Sequence, residues 1–105
     1  MIVLGKWTED MKLAVWQRGA IVFGYDPQKY RKDVAGAWMR FSDYGDRSSK
    51  FGWEIDHVVP EAKGGNDDIE NLRPLQWENN LAKSDDYPFQ GYKVTSDGNK
   101  NIDRY

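Results

Sequence analysis

A chain of 105 residues has room for one modest core, and its five Trp, six Tyr and four Phe are large apolar anchors that argue against a disordered chain. With no cysteine, disulfides and thiolate zinc sites are excluded, and cytosol is the expected compartment. The net charge of −2, taken alone, argues against a nucleic-acid binder, but the charge is uneven: residues 1–50 carry nine Lys/Arg against six Asp/Glu, and residues 51–105 carry six against eleven. An acidic second half also suits a divalent-cation site, because carboxylates recruit the metal that later meets a phosphate.

Met1-Ile2-Val3-Leu4-Gly5 lacks a basic flank and a long apolar run, so it reads as neither signal peptide nor membrane span. Thr8 can cap a helix whose first turn holds Glu9 and Asp10, and Met11, Ala14, Val15 and Arg18 fall at helical spacing before Gly19. A helix is expected over about 8–18. Ala20-Ile21-Val22-Phe23 and Ala35 to Arg40 read as short strands, Gly24 to Pro27 as a turn, and Ser42 to Ser49 as a polar loop. Arg31-Lys32 reads as a solvated face. The tryptophans at 16, 38, 53 and 77 are expected in the core.

The stretch Trp53 to Val59 is β-prone and stops at Pro60, which cannot donate to a ladder. A loop through Gly64-Gly65 follows, then one helical turn at Asp68 to Leu72, a returning strand at Arg73 to Trp77 and a short helix at Glu78 to Lys83. The tail, about 90–105, reads as a hairpin turning at Asp97-Gly98.

Chemistry concentrates in residues 53–85, where a strand ends in Asp56-His57 and a later helix begins near Asn80. Imidazole, with an ordinary pKa of about 6.5, suits proton removal from water near neutrality, and Asp56 and Asn80 offer hard oxygen donors. Because side chains alternate along a strand, Asp56 and His57 are expected on opposite faces. Each residue also has a plain alternative. His57 can be a surface or core histidine, Asp56 a strand-end cap, Asn80 a helix-start hydrogen bonder, and Lys83 and Arg73 ordinary surface cations.

Asp56, His57, Pro60, Gly64, Gly65, Asn71, Leu72, Leu75, Asn80 and Lys83 fall on a pattern of Asp-His-x-x-Pro, Gly-Gly, Asn-Leu-x-x-Leu, then Asn or His and a Lys. On these residues the segment closely resembles the HNH nuclease family. The resemblance covers about a third of the chain, and Asn80 stands where many members have His. Many members also bind zinc through two CxxC pairs; here apolar packing has to replace it, and no structural zinc is expected.

The resemblance implies an α+β fold: a small single domain built around a ββα-metal (His-Me finger) motif at about 51–86, with the N-terminal helix in front. It implies His57 as general base, Asp56 and Asn80 as ligands of one Mg²⁺ or Mn²⁺, and Asn71 as the residue that ties down the loop. Lys83 would contact a phosphate, with Arg73 and Lys63 as further backbone contacts on double-stranded DNA. The expected activity is a monomeric endonuclease that nicks one strand with weak sequence preference, leaving 5′-phosphate and 3′-hydroxyl ends. The competing expectations are a silent HNH scaffold that binds DNA or protein without cutting, and the cutting subunit of a larger restriction or phage system.

Overall fold

The computed structural model describes residues 7–104; the Met1 to Gly5 stretch and Tyr105 lie outside the described residues. Two α-helices and three two-stranded antiparallel sheets make an α+β molecule with a radius of gyration of 13.1 Å. Helix α1 (Glu9–Trp16) starts as expected, the Thr8 hydroxyl accepting from the Met11 amide at 3.1 Å, but it ends two residues short of Arg18. The Arg18 guanidinium donates instead to the Leu72 carbonyl at 2.8 Å, pinning the end of α1 to the region of the motif.

The first sheet pairs β1 (Tyr30–Lys32) with β2 (Trp38–Arg40). The apolar run at 20–23 is not a strand. Only Ala20 bridges, to Lys32, while Ile21 is 65% and Phe23 100% exposed. Nor is Arg31 a solvated face: it is buried, and its guanidinium donates to the carbonyls of Pro27, Gln17 and Gly19.

The second sheet pairs β3 (Trp53–His57) with β4 (Leu72–Gln76) in a register that sets Asp56 opposite Arg73 and His57 opposite Leu72. Helix α2 (Trp77–Lys83) follows β4 directly, capped by the Gln76 side chain, which accepts from the Glu78 and Asn79 amides. The third sheet is the C-terminal hairpin, β5 (Val94–Asp97) with β6 (Lys100–Asp103). Asp97 pairs with Lys100, so the loop is Gly98-Asn99, one residue later than expected. Gly98 takes φ 63° at the first loop position, where a II′ turn calls for glycine.

Val15, Trp16, Met39, Trp53 and Leu72 form the core where α1 meets the sheets. Trp16 and Trp53 lie 5.1 Å apart, with Phe41 and Tyr44 ringed around them, and aromatic pairs of this kind add about 0.5–1.5 kcal/mol beyond area burial. Trp38 is buried with its indole N–H on the Gly98 carbonyl, and Trp77 is half-buried with its N–H on Ser49.

The three sheets share no strand, and polar side chains join them. Asn101 accepts from the Trp38 amide and donates to the Trp38 and Lys50 carbonyls, tying β6 to β2. Buried Asp33 accepts from the amides of Ala35, Ala37 and Gln76 and from Asn79 Nδ2. Asn79 in turn accepts from the Lys93 and Val94 amides and donates to the Val94 carbonyl, holding β5 against α2. The fully buried members of this set would cost about 1–3 kcal/mol each if left unpaired.

Candidate active site

The segment from β3 to α2 frames a cleft of about 260 Å³ lined by residues that include Asp56, His57, Glu61, Asn80 and Asp85. His57, Asp56 and Asn80 therefore line one cleft. His57 is largely covered, its side chain 14% exposed, with Nε2 2.7 Å from Asp67 Oδ1 and its ring 5.8 Å from the Trp7 ring. Glu61 Oε1 stands 3.8 Å from the same nitrogen. His57, Glu61 and Asp67 thus bring donor-type atoms within 4.8 Å of one another.

The loop between the strands is fixed from within. Asn71 accepts from the Val59 amide at 2.9 Å and donates to the carbonyls of Val59 and Asn66 at 3.0 and 2.8 Å. Gly65 lies so close to the Val59 carbonyl that a Cβ would collide with it, and the Cβ would also stand 2.9 Å from Asn71 Nδ2. Gly64 turns the chain with φ 90°. Together these hold Asn66 to Asp68 beside His57. Asn71 is the lock of this loop and lies away from the cleft lining.

Asp56 is buried and already paired, its Oδ2 receiving Arg73 Nε at 2.8 Å and its Oδ1 lying 3.1 Å from Lys83 Nζ. Burial pulls the Arg73 pKa down, but the Asp56 hydrogen bond and charge, with help from Tyr92, outweigh it and leave the guanidinium raised. Lys83 differs from expectation. It is 1% exposed and its ammonium donates to the His57 carbonyl at 2.9 Å, so it braces the end of β3 and does not face a phosphate. Arg73 likewise turns inward to Asp56 and the Tyr92 hydroxyl, whereas Lys63 is exposed.

Asn80 donates through Nδ2 to Glu54 Oε1 at 2.9 Å, and Glu54 is held by a two-pronged pair with Arg47. The Asn80 side-chain oxygen Oδ1 accepts no hydrogen bond among the described residues, and Asn80 lines the cleft. An amide oxygen and a carboxylate on one wall fit a hard divalent cation in kind. The fit is not free of tension, since Arg73 and Lys83 already compensate the Asp56 charge.

Two participants escaped sequence reading. Asp67 sits in a loop whose course no periodicity reveals. Asn79 neighbours Asn80 but turns to the interior, its partners lying 14–15 residues on and across the molecule at Asp33.

Residues 46–86, the stretch that builds this cleft, match the HNH endonuclease family. The match covers the motif and its flanks, less than half of the chain. No curated protein and no solved structure matches the chain. An HNH domain points to nuclease chemistry in general, and members of this family act on DNA and generally use a divalent metal. Among the described residues no helix is long and apolar enough to cross a membrane.

Proposed function

We propose that this chain is a divalent-metal-dependent HNH endonuclease of the ββα-metal type, hydrolysing DNA phosphodiester bonds to 5′-phosphate and 3′-hydroxyl ends. The observation that carries the reading is the convergence of His57, Asp56 and Asn80 on one cleft inside the segment that matches the HNH family. His57 takes the proton from a water aligned with the scissile phosphorus; a placed base is worth about 10²–10⁴ in rate. Asp56 and Asn80 would hold Mg²⁺ or Mn²⁺, with Arg73 and Lys83 keeping the Asp56 carboxylate in place. When bound, the cation relieves charge on the phosphoryl and leaving oxygens. Asn71 fixes the loop that flanks the base.

One active site on a monomer engages one strand at a time, so nicking is the expected outcome. A chain of this size has little surface for base readout, since specific interfaces usually bury about 1,000–2,500 Å², and weak sequence preference follows. Incubation with supercoiled plasmid should give relaxed circle in Mn²⁺ or Mg²⁺ and none with chelator. His57→Ala should lose the activity while keeping its thermal transition. No relaxed circle under either metal defeats the proposal.

A second reading is a scaffold that grips DNA without cutting. It is favoured by one observation, the engagement of both Asp56 oxygens by Arg73 and Lys83. Equal DNA affinity with and without metal, in the absence of any cleavage, is its signature.

A further inference from the structure

We propose that Asp67 is the positioning residue of the base: it holds the Nε2–H of His57, so that Nδ1 keeps the lone pair that accepts the proton from water. The inference rests on the nuclease reading above and assigns a role within the same site. A neutral imidazole has one protonated nitrogen, and the partner of one nitrogen decides which. Asp67 Oδ1 lies 2.7 Å from Nε2, and an ionised carboxylate can only accept, so the proton of this hydrogen bond sits on Nε2. Glu61 at 3.8 Å from the same nitrogen is beyond hydrogen-bond distance and does not compete for it.

The loop that carries Asp67 is built to hold its place. Asn66 Oδ1 accepts from the Asp68 amide and Asn66 Nδ2 donates to Asp68 Oδ2, which closes the turn around Asp67. Asn71 Nδ2 clamps the Asn66 carbonyl at 2.8 Å, and the close approach of Gly65 to Val59 sets the loop against the end of β3. On the strand side, Lys83 grips the His57 carbonyl. Both residues of the His57–Asp67 hydrogen bond are thereby flanked by hydrogen bonds that tie down their chain segments. In the reaction, water gives its proton to Nδ1 as its oxygen attacks phosphorus, while the Nε2 proton stays on the Asp67 side. The charge that develops on the ring lies against a carboxylate.

His57 is the sole histidine of the 105 residues, so the imidazole signals of the tag-free protein come from one ring. In ¹⁵N-labelled wild type the expected result is one downfield imidazole proton, coupled to Nε2. Asp67→Ala should lose that signal and lower the nicking kcat about 10–100-fold with KM for plasmid little changed. Asp67→Asn, which retains an oxygen acceptor, should keep the signal and recover part of the rate. A proton found on Nδ1, or an Asp67→Ala protein that nicks at the wild-type kcat, overturns the proposal. If wild type shows the Nε2 proton but never cuts DNA, the nuclease reading fails and the positioning role falls with it, while the hydrogen bond stands.

Discussion

At the scale of single residues, the adjacent pair Asn79 and Asn80 divides the labour of α2. Successive helical residues point about 100° apart, so one amide faces the interior and the other the cleft. Asn79 is fully buried and saturates both ends of its amide on Asp33, Lys93 and Val94, whereas the Asn80 side chain donates to Glu54 at the cleft. Asn79→Ala should therefore destabilise by roughly 2–4 kcal/mol, because several buried groups lose partners at once. Asn80→Ala should stay within about 1 kcal/mol of wild type and instead weaken Mn²⁺ binding. Denaturant melts and a metal titration on the two variants separate these effects. The sequence pattern pointed to Asn80 because the family signature has a position for it. Nothing local marked Asn79, whose role depends on residues brought to it by the C-terminal hairpin.

At the scale of elements, the β3–loop–β4–α2 unit could be read residue by residue, while the pieces around it could not. Pro60, Gly64, Gly65 and the apolar alternation before them bound the strands within a residue or two. The run at 20–23 misled because apolar character alone does not say what will cover it, and here nothing among the described residues covers Phe23. β1 is only three residues long and exists through its pairing with β2. Asp33, just beyond β1, is the joint between these elements. Burial raises its pKa above the ordinary 3.8 against the pull of four hydrogen bonds. A raised acid binds its proton more tightly in the folded chain. Its contribution to stability is thus fully present below the unfolded value and is lost as pH climbs through the folded one. Asp33→Asn removes that slope. It also sets an NH₂ against two donors in either orientation, at about 1–3 kcal/mol. Melts between pH 4 and pH 7 should show the wild-type Tm falling relative to the variant's as pH rises, with the variant lower at pH 4.

At the scale of the whole molecule, three ribbons too small to stand alone are joined through side chains. The Asn101, Asn79 and Asp33 contacts do work that a continuous ladder does in a larger sheet. The C-terminal hairpin consequently hangs on a few amides, and hydrogen exchange should find the Lys93 and Val94 amides opening together with the Trp38 amide, at a lower free energy than the amides of β3. Amides that open independently would show that the ribbons are not coupled through these contacts.

The aromatic hub of Trp16, Phe41, Tyr44 and Trp53 has a practical result. Where a bound ion is the keystone of a small domain, stripping it collapses the chain. Here the keystone is hydrocarbon, so EDTA should leave the melting temperature within a degree or two and silence the protein without unravelling it. A dormant stock could then be rekindled by adding Mn²⁺ back, with no refolding lag.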